Sequence, residues 1–140
     1  MSFTNYLAGA TLNYIFSKTS GIDTQPTIWL GLHYGNTDPT EAGVAQEPSG
    51  NGYARLETAA SDWNASTGLT DPASVTNASD LEMATATDDW GSGADMTFAL
   101  LFDAETGGNL LAFGSLTTNK PVLDGDTPRF TAGDIQITLD

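Results

Sequence analysis

His33 is the only histidine in the 140 residues. Acyl transfer of the Ser–His–Asp kind needs an imidazole beside a nucleophile, with a carboxylate to orient it. Serines and aspartates are plentiful, but no Gly-x-Ser-x-Gly elbow or comparable placement accompanies them. A lone histidine of this kind reads as a packed or interface side chain. With 18 Asp and Glu in the chain, two carboxylates facing a cleft, as glycoside hydrolysis requires, arise by number alone and identify nothing. No catalytic residue is assigned, and the chain is not expected to be an enzyme.

Calcium takes six to eight oxygen ligands, and Asp88-Asp89 and Asp124-Gly125-Asp126 are the stretches that can offer them. Asp-Gly is also ordinary turn chemistry, and the spacing of an EF-hand is absent, so no metal ligand is assigned. No phosphate-cradling glycine loop or dinucleotide fingerprint occurs, and no cofactor is expected. Asn64-Ala65-Ser66 and Asn77-Ala78-Ser79 match the glycosylation acceptor pattern. The three tryptophans with Tyr34 and Tyr53 suit either a sugar-stacking face or a core short of large aliphatics, and their irregular spacing favours the core.

Charge narrows the partners. Four Lys and Arg against 18 acids give a formal −14, which opposes binding to phosphate backbones and anionic membranes. Neither nucleic acid nor membrane is an expected partner. The acid excess favours solubility. No apolar run reaches bilayer length, and no basic start with an apolar core marks a secretion signal, so synthesis in the host cytoplasm is expected. The absence of cysteine removes disulfides and thiolate metal sites.

The elements that would position these residues are mostly strands. Residues 2–19 predict one helix, with Phe3, Leu7, Leu12, Ile15 and Phe16 near one face, Ser2 or Thr4 as cap and Gly21 as stop. Residues 27–34 predict a strand with Ile28, Leu30, Leu32 and Tyr34 on one side and Trp29, Gly31 and His33 on the other. Apolar or aromatic groups on both sides place it centrally or at an interface. Residues 36–52 read as a long exposed loop and 53–58 as a short strand carrying Arg55. Residues 74–76 and 81–84 read as short strands in a polar, acid-laced segment. Met96, Phe98, Leu100 and Phe102 alternate with Thr97, Ala99 and Leu101 in a further strand. Glu105-Thr106-Gly107-Gly108 turns the chain into residues 109–116, and Ile135, Ile137 and Leu139 form the last strand.

The ordered set Asp38-Pro39-Thr40-Glu41-Ala42-Gly43, Gly52-Tyr53-Ala54-Arg55, Asp89-Trp90-Gly91, Phe98-Ala99-Leu100-Leu101-Phe102-Asp103-Ala104 with Gly107-Gly108-Asn109-Leu110-Leu111, and Ala132-Gly133 with Ile137-Thr138-Leu139-Asp140 resembles a family of small tailed-phage virion proteins. Its members are usually labelled tail-fibre proteins. The resemblance spans nearly the whole chain and implies a structural protein of a phage particle, without a catalytic motif.

Together these readings predict an all-β fold, an antiparallel β-sandwich or jelly-roll-like barrel, with one N-terminal α-helix. Residues 1–20 form a helix or arm and 21–140 a single β domain. The expected role is a non-enzymatic capsid decoration (cement) protein on the outer head surface, a homotrimer that contacts the major capsid protein or other virion proteins. The alternative is a tail-fibre or receptor-binding module recognising host surface glycans. Phe3, Leu7, Leu12, Phe16, Trp29, His33, Arg55 and Arg129 are the expected subunit or virion interface residues.

Overall fold

The computed structural model describes residues 2–4, 7, 11, 27–39, 46–66 and 73–139. Nine strands run through them: β1 (Ser2–Phe3), β2 (Ile28–Tyr34), β3 (Leu56–Thr58), β4 (Ala73–Thr76), β5 (Leu81–Glu82), β6 (Asp95–Phe102), β7 (Leu110–Pro121), β8 (Arg129–Phe130) and β9 (Gln136–Leu139). The main sheet has the order β1-β7-β6-β2-β3, every neighbouring pair antiparallel. Two further antiparallel ladders, β4 with β9 and β5 with β8, lie across it. The fold is therefore all-β and layered. Its described strands do not close on themselves, so the jelly-roll-like barrel is corrected to open sheets packed face to face.

The core between the layers has two lobes. In one, Leu30, Ala99, Leu101 and Ala112 of the main sheet meet Leu81 and Ile135 of the other layer. In the second, Leu32 and Met96 meet Met83, Ala86, Trp90 and Val122. These side chains are almost wholly removed from water, at roughly 25 cal/mol per Å² of apolar surface, and the layers are held chiefly by that burial.

The opposite face of β2 and β6 is also apolar. Leu100, Phe102 and Leu110 form its buried centre, flanked by Trp29, Phe98 and Phe113. The alternation in residues 28–34 sorts as expected: Ile28, Leu30, Leu32 and Tyr34 pack toward the interlayer core, and Trp29 and His33 lie on the far side. Strict alternation in β6 fails at one point. Tyr34 pairs with Met96 and His33 with Phe98, so Thr97 is an extra residue, a bulge that swings Met96 to the interlayer core. The Thr97 hydroxyl is 3.3 Å from the His33 carbonyl and donates to it.

The β6–β7 hairpin turns where expected, with Gly107 and Gly108 at positive φ. Asp103 holds the turn by accepting the Asn109 backbone amide at 2.6 Å and its side-chain amide at 2.8 Å. A Cβ on Gly108 would lie 2.6 Å from the Asp103 carboxylate, so both conformation and space require glycine there.

The expected helix over 2–19 is corrected at its start. Ser2 and Phe3 are strand residues, paired with Phe113 and Ala112 of β7. Thr4 is buried, donates to the Leu110 carbonyl at 2.8 Å, and accepts the Leu7 amide at 3.3 Å, so it is the cap and Ser2 is not. Leu7 and Thr11 are helical, and the Thr11 hydroxyl donates to the Leu7 carbonyl one turn back. Leu12, Ile15, Phe16 and Gly21 lie outside the described residues, and the single helix is not shown. The first backbone groups of the chain serve the sheet edge, a demand that helical spacing does not register.

Asn77 organises the second layer. It has no exposed surface. Its amide nitrogen donates to the Ser79 and Thr131 carbonyls, and its oxygen accepts the Ile135 amide at 2.8 Å. The acceptor-like pattern at Asn77 therefore marks a buried structural amide. Asn77→Ala leaves these backbone groups unpaired inside the fold and should cost roughly 2–4 kcal/mol, read as a shift of the urea midpoint at unchanged m-value. Asn64→Ala, at an exposed position, is the control and should leave the midpoint closer to wild type.

Candidate functional site

Arg55 is the most heavily used polar side chain among the described residues. Its Nε and Nη2 donate to the two carboxylate oxygens of Glu47, each at 2.7 Å. Its Nη1 donates to the carbonyls of Ala104 and Gly107 in the β6–β7 turn, at 2.9 and 2.8 Å. The guanidinium carbon sits over the Phe102 ring, 3.3 Å from its centroid. The Arg55 side chain is 8 % exposed and Glu47 16 %, so this is a largely desolvated, bidentate pair that uses four of the five guanidinium donors.

Tyr53 completes the cluster. Its hydroxyl donates to Glu47 Oε1 at 2.7 Å and accepts the Leu32 amide at 3.1 Å, which lies beyond the last β2–β3 pair. Its ring meets Trp90 edge to face at 5.0 Å. Burial, and then the Glu47 carboxylate, push the Tyr53 hydroxyl far above its ordinary range, so it remains a protonated donor. Gly31 leaves the room: a Cβ there would lie 2.9 Å from the Tyr53 oxygen and 3.2 Å from Glu47 Oε1.

His33 is buried on the same face of the sheet, edge to face with Phe98 at 5.7 Å, and its Nδ1 has no hydrogen-bond partner. Burial holds it below the ordinary histidine range, against the opposing charges of Asp38 and Glu47. Among the described residues no serine or carboxylate hydrogen-bonds to it, and it packs against Phe98.

The remaining expected interface residues scatter. Trp29 is half-buried on the face that carries His33, and Arg55 covers Phe102 there. Phe3 contributes its backbone to β1, Leu7 is half-buried, and Leu12 and Phe16 lie outside the described residues. Arg129 is exposed and lies 3.4 Å from Asp80, itself well exposed, a pairing worth little. Glu47, the partner that explains Arg55, was not singled out from sequence. Its only signal was a loop acid eight residues before an arginine.

The aromatics fill the core. Trp90 is 1 % exposed and donates from Nε1 to the Asn51 carbonyl. Trp63 donates to Thr58 and packs on the interlayer core. Trp90 is buried, and Trp29, Trp63, Tyr34 and Tyr53 are half-buried. The turn acids cap amides: Asp126 accepts from Leu123, Asp89 from Asp124, and Asp88 from Asp89. Among the described residues no three His, Asp or Glu side chains gather as a metal site.

Among the described residues, a cleft of about 1040 Å³ lies between β7 and the segment 122–136. Met96, Leu116, Phe130 and Ile135 line its apolar part; Lys120 and Arg129 are its cations.

Across residues 2–138 the chain matches the family model of the podophage GP4 fiber I protein gp80. The chain belongs to this family. It is a family of bacteriophage fibre-type structural proteins, which agrees with the resemblance drawn from the motifs. No curated protein matches the chain. In this fibre-family chain, Gly52-Tyr53-Ala54-Arg55 supplies the Glu47 cluster, Asp89-Trp90-Gly91 carries a core tryptophan, and Asp103 to Asn109 forms the turn that Arg55 grips. Of Asp38-Pro39-Thr40-Glu41-Ala42-Gly43, only Asp38 and the buried Pro39 are among the described residues.

Two measurements follow from the cluster. Arg55→Met strands the Glu47 carboxylate in a dry site and should cost roughly 3–5 kcal/mol, whereas Glu47→Gln with Arg55→Met should recover part of that loss. Urea denaturation of the single and double variants checks the ordering. His33 has a folded pKa depressed below its unfolded value, so its contribution is present above the unfolded pKa and is lost as pH falls through the folded one. Between pH 7 and pH 5, wild type should lose melting temperature relative to His33→Gln.

Proposed function

We propose that this chain is a non-enzymatic structural domain of a tailed-phage particle, displayed on the particle surface as part of its fibre apparatus and assembled as a homotrimer. The observation that carries the reading is the family match over residues 2–138. The internal chemistry supports it: the lone histidine is packed, the strongest polar cluster joins parts of one chain, and the described turn acids cap backbone amides. Its partners would be copies of itself and neighbouring virion proteins, with host glycans reached through the fibre.

Capsid decoration is the second reading, with the major capsid protein as partner. A layered domain with no fibrous shaft among the described residues, and a formal −14, favours it. The two readings differ in location. Cryo-electron microscopy of particles carrying an epitope-tagged copy should place antibody label at the fibres, in copy numbers divisible by three. Label spread over the shell would transfer the chain to decoration, and absence from purified particles would remove both.

A further inference from the structure

Among the described residues, the main sheet leaves one edge of β7 without a paired strand, beside the cleft. β1 covers β7 only at Ala112 and Phe113. Beyond Phe113, no described strand pairs with that side of β7. On its other side, the β6 ladder jumps from Ser115 to Lys120, leaving residues 116–119 outside the register. Ser115 and residues 117–121 are exposed. An edge with free amides and carbonyls is a template for strand addition.

The cleft supplies what such a strand would read. Its apolar lining accepts side chains from one face of an added strand, and its cations attract carboxylates. The Lys120 side chain has no ion-pair or hydrogen-bond partner among the described residues, and the Arg129 side chain has only its loose contact with Asp80. The cleft acids, Asp126 and Asp134, accept backbone amides of Leu123 and Thr131. Of the four basic residues, Arg55 is buried against Glu47 and Lys18 lies outside the described residues. The accessible positive charge of the described residues therefore meets at one cleft of mixed polar and apolar lining, which also holds Asp126 and Asp134, beside an edge of β7 that no described strand pairs. At 1040 Å³ the cleft is as large as the upper end of ordinary small-molecule pockets, about 300–1,000 Å³, which suits an extended polymer.

We propose that the free edge of β7 and this cleft bind an extended acidic segment of a second copy of the chain. A chain with 18 acids and four bases presents the complementary charge on its own surface. The contact joins unlike patches, so it is heterologous, the kind that builds a ring when its rotation closes and a filament when it does not. This deepens the oligomer reading above and is tested on purified protein, so its failure leaves the fibre assignment standing.

Sedimentation velocity of the full chain, with circular dichroism and thermal melts as fold controls, decides the matter. Wild type should form an oligomer. Thr117→Pro removes an edge donor, and Lys120→Glu with Arg129→Glu reverses the cleft charge. Each should weaken association by about tenfold or more while the chain stays folded. In the assembled protein, amides of residues 115–119 should exchange more slowly than in dilute monomer, a readout that needs no variant. A wild-type monomer at about 100 μM, well above the about 1 μM dissociation constant that corresponds to −8.2 kcal/mol, overturns the proposal. So do variants that assemble like wild type, or polygalacturonate oligomers that bind a monomeric chain through Lys120 and Arg129.

Discussion

Arg55 ties together a loop, the main sheet and the β6–β7 turn. Its fork fixes Glu47 on the incoming loop, its remaining nitrogen fixes the β6–β7 turn, and its guanidinium carbon sits over Phe102 in the main sheet. A guanidinium removed from water is costly unless its donors are paired. The geometry is correspondingly narrow. Gly31 must lack a side chain, Tyr53 must remain protonated, and the turn must present two carbonyls. The cluster is thus less a source of net stability than a device that admits one arrangement of loop, sheet and hairpin.

The same cluster sits on the second face of a sheet that is apolar on both sides. Leu30 and Leu32 are sealed by the opposite layer, and Leu100 and Phe102, pointing the other way, are 0 % and 2 % exposed within one chain. A neighbouring subunit is therefore not required to cover the central strands. That moves the physical case for assembly from the sheet faces to the sheet edge, where no described strand pairs with β7 beyond Phe113 and a cleft with accessible cations adjoins. In a strongly acidic molecule, where those few cations sit matters more than how many there are.

Asn77 and the turn carboxylates show how a chain rich in Asp, Asn, Thr and Gly builds a second layer from very short strands. β5 and β8 pair over two residues each, too few to stand alone. Side-chain bonds from Asn77, Asp126 and Asp134 satisfy backbone amides that ladders this short leave over. Acids that look from sequence like calcium ligands thereby acquire structural roles.

Local pattern determined much of this protein. Period-two alternation identified β2 and most of β6, the paired glycines identified the hairpin, and the ordered motifs identified the phage family, because each depends on near neighbours in the chain. The tertiary structure decided the rest. The Thr97 bulge, which turns Met96 to the interlayer core, depends on what pairs across the sheet. The strand at Ser2–Phe3 exists because β7 offers it an edge, against a spacing that reads as helical. The pairing of Arg55 with Glu47, and the meeting of Lys120 with Arg129 at one cleft, join residues whose relation lies in space. Periodicity reports which way a side chain faces; only the folded sheets determine what it meets.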